Sequence, residues 1–184
     1  MVFTQIIPQL LQYLTLIMNV VILLFVIAYL IAIFSKKRKV LMKYLDKYLG
    51  KHSIKYAFIV ALSAMLGSLF YSEIMHYTPC EMCWYQRILM YPLTLLLFIA
   101  IIKKDKGITK YVVPMSIIGA ILSGWHYIIQ RYTFASTCSI DAVVPCTAKY
   151  TFAFGYITIP IMALTAFILI IFLSLIWSYS KKRI

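Results

Sequence analysis

The sequence predicts an all-α membrane protein with five transmembrane helices. Of its 184 residues, 64% are hydrophobic and only 12% are charged. A soluble domain of this size cannot hide so much apolar side chain, because roughly half of its residues must face water. The net charge of +13 would also suit a nucleic-acid-binding protein. The basic residues, however, cluster between apolar blocks, which is the pattern that fixes membrane orientation. We therefore expect membrane lipid, and no nucleic acid, as a partner.

Each predicted transmembrane helix is a block without charged residues. About 20 residues at 1.5 Å each cross a hydrocarbon core of about 30 Å. The second and third blocks are shorter, so their helices must include polar residues near the surface, and the long fifth block is predicted to tilt or to extend into the interface. The first block is too long for the apolar region of a signal peptide and follows no basic segment, so no cleavable signal is expected. The blocks are residues 10–34, 56–72, 88–102, 111–130 and 150–180.

Between the first two blocks, apolar side chains recur at helical spacing and lysines fill the opposite face. This pattern predicts an interfacial amphipathic helix that lies on anionic lipid. The apolar positions are Val40, Leu41, Tyr44, Leu45, Tyr48 and Leu49, and the lysines are Lys39, Lys43, Lys47 and Lys51.

The basic residues also predict the orientation of a multi-pass cell-membrane protein. Segments 36–55, 103–110 and 181–184 carry 15 of the 18 lysines and arginines. With five crossings these segments lie on one side, which the positive-inside rule identifies as the cytoplasm. The N-terminus and the loops 73–87 and 131–149 then lie outside, and the C-terminus is cytoplasmic. All four cysteines fall in the outer loops, where oxidation is permitted.

The strongest local signal is a pair of cysteines two residues apart, in the sequence TPCEMC. Thr78 suits a helix N-cap, Pro79 suits the first helical position, and Glu81 completes a capping box. The pair would then lie in the first turns of the third transmembrane helix, where free backbone N–H groups and the helix dipole favour a thiolate. Cys80 and Cys83 are therefore expected to make and break a disulfide readily.

Arg87 lies four residues after Cys83, on the same helical face. The apolar run after it, residues 88–102, is too short to span, so Arg87 is expected about one turn into the membrane or at its edge. A charge there is costly and usually faces a functional partner, although a snorkelling interfacial arginine is the alternative. We predict that Arg87 stabilises a Cys83 thiolate and a reduced, anionic acceptor.

The second outer loop contains Cys138 and Cys146. A bridge between them is sterically reasonable, but four cysteines allow three pairings. The alternatives are a structural staple and a metal site. A tetrathiolate site needs all four cysteines together, and no histidine stands at a supporting spacing in the sequence, so we predict no metal.

His126 and Gln130 lie four residues apart near the outer end of the fourth helix. Their side chains are predicted to hydrogen-bond the carbonyls of a bound headgroup. Polar packing between helices is the alternative, because such residues commonly bond across transmembrane interfaces.

The sequence PCEMCWYQR at residues 79–87, with the MYP that follows it, resembles the DsbB/BdbC family of thiol:quinone oxidoreductases. His126 and Gln130, the two loop cysteines and the sequence ITIP at residues 157–160 also match the family pattern in order. The resemblance covers about residues 56–178. Gln86 stands where some members carry an acidic residue.

The resemblance implies a four-helix transmembrane bundle at residues 56–184, preceded by an additional helix and amphipathic segment at 1–55. It implies that a DsbA-like thioredoxin-fold thiol oxidase on the outer side supplies electrons and that a quinone, ubiquinone or menaquinone, receives them. Such a protein supports disulfide bond formation in exported proteins. By this analogy Cys138 forms the mixed disulfide with the partner. Cys146 passes the electrons to the Cys80–Cys83 disulfide, and Cys83 meets the quinone.

Other classes of protein also fit parts of the pattern. A vitamin-K-epoxide-reductase-like quinone reductase pairs the same kinds of cysteine, but its usual order places the two-residue-spaced pair after the loop pair. A non-enzymatic membrane scaffold with two structural disulfides would resist reduction, whereas catalytic disulfides exchange at moderate potential. A transporter is weakly supported, because five spans without a repeat contain few charges.

We expect a membrane-impermeant thiol reagent to label reduced intact cells at one or more cysteines of each pair, since both cysteine loops are predicted to lie outside. Mass spectrometry of the labelled peptides identifies the positions. Labelling that appears only after the membrane is broken would show that the orientation is reversed.

Overall fold

The computed structural model describes residues 2–36, 38–105, 107–132 and 144–181. In these residues no strand is present, and the one bridge of β type pairs Ala153 with Ile157. Five helical segments are long and apolar enough to cross a membrane, which confirms the predicted all-α membrane fold. The helices are α1 (Val2–Phe34), α2 (Arg38–Leu49), α3 (Ser53–Leu69), α4 (Glu81–Lys103), α5 (Thr109–Tyr132) and α6 (Ile159–Lys181).

Helices α3 to α6 form a four-helix bundle in which α3 packs on α4 and α6, and α5 packs on the same two helices. Gly119 lies so close to the Phe167 ring that a Cβ atom would collide with it, and this allows α5 and α6 to approach closely. The bundle core consists of small residues on α3 and larger ones on its neighbours, including Ala57, Ala61, Leu93, Leu97, Val112, Phe167 and Ile170.

Helix α2 continues into α3 through a single 3₁₀ turn, Gly50–His52, so the chain stays helical from α2 to the end of α3. Lys39, Lys43 and Lys47 are exposed, while Leu41 and Leu45 are half-buried. The predicted amphipathic helix is therefore present, with its basic face free for a lipid headgroup layer.

The start of the last helix differs from the prediction. The fifth apolar block begins at residue 150, but α6 begins at Ile159. Phe154 and Gly155 adopt left-handed backbone conformations, with φ of 52° and 76°, that interrupt any helix. Pro160 lacks an N–H and therefore suits the first turn of α6, where that group would have no partner within the helix. Hydropathy alone could not detect this boundary because the preceding turn is as apolar as the helix.

Helix α1 lies outside the four-helix bundle and packs against α6. Most of its side chains are exposed, as expected for a transmembrane helix that faces lipid on several sides. The proposed division of the chain into residues 1–55 and 56–184 stays a prediction.

Candidate functional site

The cysteine pair stands at the N-terminus of α4. Cys80 has extended backbone, with φ −74° and ψ 171°, and is itself the N-cap, so the helix begins at Glu81. The predicted N-cap at Thr78 and its capping box are therefore wrong. The Thr78 carbonyl instead accepts a hydrogen bond from the Tyr150 hydroxyl at 3.0 Å, which ties this segment to the loop before α6. Cys83 still lies in the first turn of the helix.

The two thiols of this pair differ in their surroundings. Both cysteines are free, and their Sγ atoms lie 3.0 Å apart. Cys80 is only 6% exposed, and its Sγ lies 3.6 Å from His126 Nε2. The hydrogen bond with Cys83 and the proximity of His126 lower the pKa of Cys80 below its ordinary value, and they outweigh burial, which raises it. These contacts favour ionisation of Cys80 in the reduced pair.

The His126 ring, which is 1% exposed, connects the cysteine pair to the second outer loop. Gln86 Nε2 lies 3.0 Å from His126 Nδ1, and an amide nitrogen can only donate, so Nδ1 accepts. In the neutral ring, Nε2 then carries the proton. That N–H lies 3.2 Å from the carbonyl oxygen of Cys146 and close to Cys80 Sγ. The histidine thus donates towards the sulfur of Cys80 and the backbone carbonyl of Cys146, the two cysteines between which electrons would pass from one pair to the other.

Cys146 lies beside Cys80 in one buried cluster with Met82 and Ile129. Cys146 is disulfide-bonded and 3% exposed. Gln130 Nε2 donates to the Ala148 carbonyl at 2.9 Å and so fixes the same loop. Cys138 lies outside the described residues, and its pairing with Cys146 stays a prediction.

The described residues also bear on the metal prediction. Ligand atoms of Cys80, Cys83 and His126 lie within 4.8 Å of one another, so the statement that no histidine supports the cysteines is wrong. Sequence spacing could not show this contact, because 46 residues separate Cys80 from His126. The two sulfur atoms, however, are 3.0 Å apart, closer than the roughly 3.8 Å of two thiolates on tetrahedral zinc. This spacing suits a hydrogen-bonded thiol pair better.

A cavity of about 300 Å³ opens beside the cysteine pair, and Cys83 is the member of the pair that lines it. Its walls are mainly apolar side chains from α1, α3 and α6. Its polar residues include Gln86, Arg87, Tyr71 and Tyr91. Neither tyrosine hydroxyl has a hydrogen-bond partner among the described residues, and both oxygen atoms are buried. The volume lies at the lower end of the range for ligand sites.

Arg87 lies on the cavity wall, as its register with Cys83 predicts. Its Nε donates to Ser68 Oγ at 2.9 Å and a terminal nitrogen donates to the Ser68 carbonyl at 3.0 Å. The guanidinium also lies 5.3 Å from the centre of the Trp84 ring. The partners recorded for it within the described ranges are neutral, so its positive charge is available to an electron-rich group in the cavity.

The other predicted headgroup ligands occupy a different place. His126 and Gln130 do not line the large cavity, and Gln130 instead lines a small pocket with Cys80 and Cys83. Their predicted contact with a headgroup stays a prediction. Sequence reasoning missed the two unpartnered tyrosines and the role of Ser68, because aromatic and small residues are common at any helix contact.

Known proteins resemble this chain over most of its length. The family model described as Disulfide bond formation protein DsbB matches residues 51–177. Disulfide bond formation protein C of Bacillus subtilis (strain 168) is 54% identical over 116 residues, which are 62% of this chain and 84% of the relative. Probable disulfide formation protein C of Halalkalibacterium halodurans is 47% identical over 121 residues, or 65% of this chain and 88% of the relative. No solved structure matches the chain.

We expect one cysteine of the fully reduced protein to remain a thiolate at pH values well below about 8.5, the ordinary pKa of cysteine. Because the pKa of Cys80 is lowered, its thiolate persists as the pH falls and disappears only when the pH passes the lowered value. An acid titration of the full chain in detergent, followed by the ultraviolet absorbance of thiolate, measures this. Cys80→Ser should lose the low-pH signal and Cys138→Ser should retain it. A signal that survives in Cys80→Ser would assign the thiolate to another cysteine.

Proposed function

This chain belongs to the DsbB family of disulfide bond formation proteins, and from that premise we propose that it reoxidises a DsbA-like thioredoxin-fold partner and reduces a membrane quinone. Family membership and the five membrane-spanning segments make it a membrane oxidoreductase of disulfide bond formation. The identity of the electron donor and of the electron acceptor is the proposal.

The proposed route moves two electrons through two thiol–disulfide exchanges. The partner's dithiol attacks the Cys138–Cys146 disulfide at Cys138, and a second attack releases the oxidised partner and leaves both loop cysteines reduced. These reduce the Cys80–Cys83 disulfide in the same way, through Cys146 and Cys80. The acceptor, a quinone such as ubiquinone or menaquinone, takes two electrons and two protons when bound. The Cys80–Cys83 disulfide then forms again, so that atoms and electrons balance.

One observation carries this proposal: both cysteines of the α4 pair contact the cluster that contains Cys146, but only one of the two lines the large cavity. Cys80 packs in one buried cluster with Cys146, from which the electrons would come. Cys83 lines the large cavity beside Arg87, where the electrons would leave. A purely structural disulfide has no need for such a division, whereas an electron relay requires it.

The cavity also fits the chemical character of a quinone. A quinone has two carbonyl oxygens that accept hydrogen bonds, and two tyrosines with buried, unpartnered hydroxyls, Tyr71 and Tyr91, are among the residues that line the cavity. Arg87 supplies a positive charge where negative charge develops on reduction. His126 holds a proton between the Cys80 sulfur and the Cys146 backbone carbonyl, and we propose that it stabilises the Cys80 thiolate during the exchange between the pairs.

The orientation is part of the proposal. The cysteine loops and the N-terminus face outward, and the basic α2 lies on the cytoplasmic leaflet. In this orientation the partner meets the loop cysteines in an oxidising compartment.

We expect purified protein to couple the oxidation of a reduced DsbA-like partner to the reduction of a soluble quinone. The absorbance of the quinone over time measures this reaction. Cys83→Ser should abolish quinone reduction, because it removes the cysteine that lines the cavity. Cys146→Ala should leave Cys138 able to trap the partner as a mixed disulfide, visible on a non-reducing gel, and Cys138→Ala should not. Trapping of the partner through Cys80 in the otherwise intact protein would show that the route runs differently. Partner oxidation without quinone reduction would exclude the proposed acceptor.

We expect Arg87→Ala to raise the KM for quinone and to slow turnover by about tenfold to a hundredfold, because it removes a charge from a low-dielectric cavity. Arg87→Lys should be milder, since it keeps the charge but loses the paired donation to Ser68. Ser68→Ala is the matched control, because it removes one hydrogen bond and leaves the guanidinium. Single-turnover oxidation of the partner by the loop disulfide should stay nearly unchanged in all three variants. Normal quinone affinity and rate in Arg87→Ala would identify the residue as an interfacial anchor.

A further inference from the structure

Helix α1 lies entirely outside the region that matches the DsbB family, residues 51–177. It nevertheless contributes one wall of the large cavity. The contributing residues lie at positions i, i+3, i+4 and i+7 of the helix, which form a single face. They are Leu11, Leu14, Thr15 and Met18.

Specific contacts hold this face against the bundle. Asn19, the only asparagine in the chain, accepts a hydrogen bond from Thr165 Oγ1 at 2.7 Å. A polar bond of this kind between transmembrane helices fixes their relative position, since lipid offers no competing partner. A Leu11 methyl group lies 3.3 Å from the position that a Cβ atom at Gly67 would take, so the two helices are in close contact here.

The cavity is polar at one end and apolar at the other. Cys83 and Arg87 stand at the polar end, where α3 contributes Ser68. On the same helix, Ile59 also lines the cavity, nine residues earlier in the chain. Nine residues of helix measure about 13 Å, so the apolar part of the cavity extends about this far from its polar end at Ser68. This shape matches a quinone whose ring lies near Arg87 and whose isoprenoid chain runs along the helices.

We propose that α1 is part of the quinone site and that its face from Leu11 to Met18 contacts the isoprenoid chain, which makes α1 a determinant of acceptor specificity. This inference rests on the proposed function. An isoprenoid chain is already in an apolar medium when it leaves the lipid, so the hydrophobic effect gives it no reason to prefer the cavity. Its preference must come from packing against the cavity wall, and a bulky side chain on that wall should therefore oppose it.

The test compares Met18→Trp with Ile17→Trp in the full-length protein. Met18 lines the cavity, whereas its neighbour Ile17 is 56% exposed on the outer side of α1. The same substitution at Ile17 is therefore a matched control. We expect Met18→Trp to raise the KM for a prenylated quinone by about tenfold and to leave the KM for a tail-less quinone nearly unchanged. Ile17→Trp should behave like the unmodified protein with both acceptors.

Binding is measured separately with a prenylated quinone that carries a photoreactive group on its chain. Illumination followed by peptide mass spectrometry should give adducts on α1 in the unmodified protein and in Ile17→Trp, and fewer in Met18→Trp. If adducts form only on α3 to α6, or if the two tryptophan variants have the same KM for the prenylated quinone, α1 is not part of the site. If the unmodified protein reduces neither quinone, the proposed function itself fails.

Discussion

The hydrogen bonds of His126 determine how the rest of the site is arranged. The buried ring accepts from Gln86 on α4 and donates towards the Cys146 carbonyl in the following loop. An unpaired ring nitrogen in this environment would cost a few kcal/mol, so the two helices and the loop are held in one register. That register places Cys80 and Cys146 in one buried cluster. Because Cys80 is the extended N-cap residue and Cys83 lies within the first turn of α4, only Cys83 lines the large cavity.

The two cysteines can therefore work with different partners although only two residues separate them. Cys80 is buried, and its contacts with Cys83 and His126 lower the pKa of its thiol, which would stabilise the reduced pair in the proposed route. On the cavity side, the Arg87 guanidinium donates hydrogen bonds to the neutral Ser68 and not to a carboxylate. In the proposed route, this asymmetry separates the step that receives electrons from the step that releases them.

Much of this arrangement could be predicted from the sequence, and the rest depends on contacts between distant segments. Long apolar blocks and basic clusters are averages over many residues, so the five spans and the amphipathic helix are confirmed. The register of Arg87 with Cys83 follows from helix geometry alone. The contact of His126 with Cys80 could not be predicted, since it depends on how α4 and α5 pack. The predicted start of α4 was wrong by two residues and that of α6 by nine, because local turns competed with the capping and hydropathy signals.

The unbroken helical path from α2 into α3 has a mechanical consequence. The basic face of α2 suits one leaflet surface, and Ser68 lies near the far end of α3, 15 residues beyond Ser53. The distance between them is about 22 Å, and a helix does not stretch. The position of α2 at the opposite leaflet then determines the depth of Ser68 in the membrane. The depth of Arg87 follows, because it is bonded to Ser68. With α2 on the cytoplasmic leaflet as proposed, a thicker membrane would place the guanidinium farther from the water on the other side, and bilayer thickness would thus affect the site.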